Sequence, residues 1–164
     1  MSKNKNKMAN KARSFLKTKN RDFNNVLDSV QLNLITSETI SAARTLTQED
    51  SGKVFFINQA SAYTITLPLM STISSGWNAT FILATVGSHK VTIANNTAED
   101  TIVGSFSTSE IADSATATLL AASAVDEVAF ISGASLGNVI TLISNGVNYF
   151  ANGQADAADH ITIS

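Results

Sequence analysis

The chain has 164 residues, 44% hydrophobic and 15% charged, with no cysteine. It is long enough for one domain with an extension, and it holds neither a disulfide framework nor thiol chemistry. The net charge of −2 conceals an asymmetry: residues 1–21 carry eight cations and no acid, whereas residues 22–164 carry three cations against thirteen acids. No run approaches the ~20 apolar residues of a membrane span. The basic start is not followed by the apolar stretch of a secretory signal, which implies folding in a cytosol.

Residues 1–21 read as a basic arm. Its cations are Lys3, Lys5, Lys7, Lys11, Arg13, Lys17, Lys19 and Arg21. A block of like charge with little apolar content is disordered alone and serves as an interaction tail. Met8, Ala12, Phe15 and Leu16 fall at helical spacing, so a short amphipathic helix can form against a partner. The eight cations with Phe15 and Leu16 are the candidate partner-binding set. One partner that fits is an acidic protein surface. The other is nucleic acid, for which eight phosphate contacts would give a salt slope of about −7. Phe15 is the arm's lone aromatic, so no platform for stacking bases is present.

Residues 22–44 form a connector. Val26, Leu27, Val30, Leu34 and Ile35 give a partial helical stripe, while Leu32, Leu34 and Ser37-Glu38 suit an extended chain; both readings stay open. Residues 45–164 read as an all-β body, an antiparallel sandwich or barrel of jelly-roll type. Its centre is Leu46–Pro68. Asp50-Ser51-Gly52 is turn chemistry. Val54–Ile57 is a short strand apolar on both faces, so one face needs a second sheet or another chain. Tyr63, Ile65 and Leu67 alternate with Thr64 and Thr66, and Pro68 ends that strand. The two strands are expected to pair as a hairpin.

Further strands follow at regular spacing. Thr80–Val86 and His89–Ala94 flank Gly87-Ser88, which reads as a hairpin loop. Thr101–Phe106 is interrupted by Gly104, where a bulge or a close backbone approach is expected. The composition of Ala115–Ala122 permits a helix, though Thr116, Thr118 and the surrounding pattern favour a strand; Glu127–Ser132 and Val139–Ser144 come next. Asn145-Gly146 signals a hairpin into Val147–Ala151, and Ile161–Ile163 closes the chain. Eight to ten short strands with turns between them define the sandwich or barrel class.

No catalytic constellation stands out. Two histidines without cysteine make no zinc pattern, and His89 fits a surface or packed role. Asp156, Asp159 and His160 share a polar turn without the oxygen spacing of a calcium loop. No catalytic, cofactor-binding or metal-binding residue is therefore assigned. The acidic pairs Glu49-Asp50, Glu99-Asp100 and Asp126-Glu127 suit solvated turns or receivers for a neighbour's basic arm. Trp77, Tyr63 and Tyr149 suit core packing, or alternatively a sugar-stacking platform. Low charge with abundant Ser, Thr and Ala suits broad, weakly polar surfaces that pack against neighbours.

Three motifs in order carry a family resemblance: L-T-x-x-D-S-G-K-x-F-F-x-N at Leu46–Asn58, T-x-T-L-P at Thr64–Pro68, and S-N-G-x-x-Y-F at Ser144–Phe150, with Gly153-Gln154-Ala155 after them. The segment from Thr45 to Ser164 resembles small β-proteins of tailed-bacteriophage virions, the capsid decoration (cement) and head-fibre proteins. The resemblance implies a non-enzymatic virion component without cofactor. Its partners would be the major capsid protein and other copies of itself in a homotrimer, and it would lie on the capsid surface and stabilise the head. It carries over no catalytic residue. Two alternatives stand beside it: a fibre or tail adhesin binding host glycan, and nucleic-acid binding through the arm. The arm and connector lie outside the resemblance.

Overall fold

A computed structural model describes residues 36–97, 101–108, 118–157 and 159–164. The basic arm and residues 22–35 of the connector lie outside these, as do Glu99 and Asp100. Twelve strands are described: β1 Ser37–Ile40, β2 Arg44–Thr45, β3 Lys53–Asn58, β4 Tyr63–Thr66, β5 Asn78–Thr85, β6 Val91–Ala94, β7 Ile102–Thr108, β8 Thr118–Val125, β9 Glu127–Phe130, β10 Val139–Ser144, β11 Tyr149–Ala155 and β12 Ile161–Ile163. The two described helical pieces are single 3-10 turns, Gln48–Asp50 and Met70–Thr72.

The strands make two sheets, one of seven in the order β1-β3-β5-β10-β11-β7-β8 and one of five in the order β12-β9-β6-β4-β2. One buried cluster between them draws Phe55, Phe81 and Phe106 from the first sheet and Ile65, Ile93 and Phe130 from the second. The all-β sandwich read from the sequence is thus what the chain forms. The pairing is corrected: five of the ten ladders run parallel, so the sheets are mixed rather than antiparallel in the jelly-roll manner.

The cause is how the first half of the chain winds. From β1 to β6 it visits the two sheets alternately. A strand in one sheet is reached again only after crossing to the other and back, so it returns in the same direction. β1, β3 and β5 therefore pair in parallel, and so do β2, β4 and β6. The two expected hairpins in this half, β3–β4 and β5–β6, are corners between sheets. Two neighbours within one sheet would set Phe55 and Ile57 beside Ile65; across the sandwich these side chains meet from opposite sides of the core.

The corners stack on one another. Gln59, fully buried, donates from Nε2 to the Ile131 carbonyl at 2.9 Å and accepts from the Gly87 N–H at 3.2 Å. Its backbone N–H donates to the Thr85 carbonyl at 3.1 Å. The Tyr63 hydroxyl, at 2.7 Å from the Ile40 carbonyl and 3.0 Å from that of Asn58, ties β1 to the β3–β4 corner. In the second half antiparallel pairing predominates, with β7 and β11 forming its one described parallel ladder. Asn145-Gly146 closes β10 onto β11 with Ser144 opposite Tyr149, as its turn chemistry predicts.

Candidate interaction surface

The first sheet buries one face and leaves the other open. Burial alternates along its central strands: in β11, Tyr149, Ala151 and Ala155 are buried and Gly153 half-buried, while Phe150, Asn152 and Gln154 are exposed. The ladder registers align the outward residues in rows across the sheet, because paired residues point to the same face. One row runs Thr39, Phe56, Ile82, Val139, Gln154, Ser107. The next runs Ser37, Val54, Thr80, Thr141, Asn152, Ser105. A shorter row holds Asn78, Ile143, Phe150 and Val103.

None of these sixteen positions is charged. Apart from Val54, the middle row is a belt of hydroxyl and amide groups, with Thr80 and Thr141 in hydrogen-bond contact at 3.3 Å. Apolar side chains flank it on both sides. Phe56 is 36% exposed, Ile143 46% and Phe150 43%, large values for such residues within strands. A shallow hollow of about 390 Å³ opens on the same face, lined by Ser105, Ser107, Val139, Asn152, Gly153 and Gln154.

The described charges sit instead at sheet edges, strand ends and loops, and most are paired. Asp50 is buried in the 3-10 turn before β3. It accepts from Arg44 and Lys53, each at 2.7 Å, and from the Thr47 N–H at 2.9 Å. Burial alone would raise its pKa; the Lys53 and Thr47 bonds and the Arg44 charge outweigh it and hold the carboxyl below its usual range. Arg44 also pairs with Glu38 and lies 5.6 Å from the Phe55 ring centroid. Lys90 meets Glu127 at 2.5 Å and holds that carboxyl low. Of the acidic pairs read as possible receivers for a basic arm, Asp50 and Glu127 are thus already engaged, while Glu49 and Asp126 are exposed.

The polar turn near the end of the chain is also structural. Asp156 accepts from the Ser135 hydroxyl at 2.5 Å and lies 2.7 Å from His160 Nδ1, joining the β9–β10 loop to the β11–β12 loop. Burial opposes the charged form, yet the bonds with Ser135 and His160 bring the carboxyl down to about 2. The serine meets the carboxylate, not the imidazole. The relay in which a histidine withdraws a serine proton is therefore not assembled. No group of three or more His, Cys, Asp or Glu among the described residues is placed to hold a metal. His89 is exposed before β6.

The sugar-stacking alternative for Trp77, Tyr63 and Tyr149 is overturned by burial: they are 1%, 9% and 0% exposed. Trp77 and Tyr149 pack edge to face at 5.8 Å, and their polar atoms bond to the Thr47 and Pro68 carbonyls at 2.9 and 2.6 Å. A second cleft, of about 490 Å³, lies beside the 3-10 turns and is lined by Leu46, Gln48, Glu49, Pro68, Leu69 and Thr72 among others. The ten candidate residues of the arm lie outside the described residues. The outward face was the missed feature. The two-sided apolar character of Val54–Ile57 hinted at it, but its extent needs the register of six strands.

The fold therefore defines an all-β sandwich of two mixed sheets with one broad uncharged face. No protein-family model matches the chain, and no curated protein matches it either. No described helix is long and apolar enough to cross a membrane.

Proposed function

We propose that this chain is a non-enzymatic structural component of a virus particle, a capsid decoration protein that grips the major capsid lattice with its basic arm and stabilises the head. The observation that carries the reading is the uncharged face of the first sheet. Charge depletion with exposed aromatic side chains marks the core of a protein–protein contact. The body supplies contact area, and its described charges are largely spent on holding corners and edges together. The arm adds a dense positive charge suited to an acidic surface, and many copies on one lattice turn individually weak grips into a firm coat. The motif resemblance of Thr45 to Ser164 points the same way.

The test is co-sedimentation with purified heads of the parent virus, comparing the native chain with one in which the eight arm cations are replaced by glutamine. The native chain is expected to saturate the heads, and the neutralised chain to lose at least tenfold in affinity. Equal binding by both removes the arm as the anchor; no binding by either removes the capsid assignment.

A further inference from the structure

We infer that the uncharged face of the seven-stranded sheet is covered by a second copy of the same chain, packed face to face about a two-fold axis. This deepens the view of the body as a contact module and puts a two-fold pair in place of the homotrimer that the motif resemblance implies, but it does not depend on what the arm grips.

Three features of the face point to self-pairing. The first is charge. In an isologous contact a patch meets itself, so any charge on it is opposed by its like. Residues 22–164 hold three cations and thirteen acids, and two such bodies repel over most approaches. The sixteen-position face carries no charge, so it is an approach along which two copies meet without opposing like charges. The second feature is hydrogen bonding. The belt of Thr80, Thr141, Asn152 and Ser105 is built from groups that each donate and accept, so it is complementary to its own image in either orientation. The rows beside it mix polar side chains with Phe56, Ile82 and Val139 on one side and Val103, Ile143 and Phe150 on the other, and an axis across the strands at Thr141 sets Val139 opposite the copy's Ile143. The third is area. Seven strands about 4.8 Å apart and about 20 Å long span roughly 600 Å² in projection. Side-chain relief brings this toward the ~800 Å² that each partner gives to a stable interface. Sheets already stack in this way within sandwiches, about 10 Å apart.

The centre of the face identifies the residue to test. β10 is the fourth of the seven strands, and Thr141 lies in the middle row upon it. A two-fold axis through the face brings Thr141 close to its own copy.

The experiment is sedimentation equilibrium of the full chain from about 1 to about 100 μM, a range that resolves micromolar association. The native chain is expected at the mass of two copies at the upper end. Thr141→Lys and Thr141→Glu are each expected to run as one copy with unchanged circular dichroism, and an equimolar mixture of the two to regain the two-copy mass. Ala60→Lys, on an exposed corner away from the face, is expected to pair like the native chain. The mixing arm keeps the test decisive, since pairing on mixing requires that both variants fold. A native chain that stays single throughout overturns the proposal. So does a three-copy mass, pairing indifferent to charge at 141, or pairing lost when the arm is neutralised and not when Thr141 is changed. Particle binding is read separately by co-sedimentation, so a single-copy chain that still coats heads would reject the self-pairing alone.

Discussion

Asp50 shows how a single carboxylate organises a corner. It is 3% exposed, and an unpaired charge there would be costly. Arg44 from β2, Lys53 from β3 and the Thr47 amide share that charge. Asp50→Asn keeps the shape and removes the charge, and is expected to cost about 2 kcal/mol, read from the midpoint of urea unfolding. The pH dependence follows from the same groups. Asp50, Glu127 and Asp156 titrate lower folded than unfolded. Their contribution is complete above the ordinary carboxylate range, near 4, because there both states are ionised. Below it the unfolded chain takes up protons first, so stability falls as pH drops from about 4 toward the folded value of about 2 for Asp156. At the other end, burial raises the Tyr63 hydroxyl from its ordinary value near 10 to about 12. The folded state keeps its proton longer, so stability declines as pH rises above about 10. Thermal unfolding across pH is therefore expected to show a plateau between these limits, with an acid flank that Asp50→Asn makes shallower.

At the scale of elements, small residues set how closely strands approach. Gly104 on β7 faces Ala151 across a parallel ladder, and a Cβ there would stand 1.8 Å from the Ala151 carbonyl oxygen. The backbone itself blocks it, so Gly104→Ala must push β7 away from β11. A loss of about 2 kcal/mol or more is expected, together with faster amide exchange along β7 than along β3. The sequence announced this glycine through its position within a β-branched run. It equally announced the β10–β11 hairpin, because Asn-Gly fixes a turn from two adjacent residues. The β3–β4 and β5–β6 corners were not legible in the same way. Turn residues state that the chain reverses, and they do so alike for a hairpin and for a step to a facing sheet. What distinguishes the two here is Gln59, whose side chain reaches Gly87 and Ile131, 28 and 72 residues away.

For the whole molecule, winding between two sheets makes most neighbours distant in sequence. Parallel pairing across returning coils forms only after the intervening strands are placed, so folding is expected to be slow for the size of the chain, on the order of milliseconds to seconds. Trp77, the single tryptophan and 1% exposed, reports it directly: its emission is expected to be short in wavelength when folded, and to shift red in one step with the loss of circular dichroism. Separate steps for the two signals would mean that the sheets part independently. The alternation of apolar and polar residues, the turn signals and the split of charge between arm and body were all determined by the sequence alone, because each depends on neighbours a few positions apart. Only the tertiary structure decided which strands lie side by side, that half of them run parallel, and that sixteen uncharged side chains from β1, β3, β5, β10, β11 and β7 fall on one face. That face is a property of register between strands far apart in the chain, and register is set by how the two sheets bury their shared core.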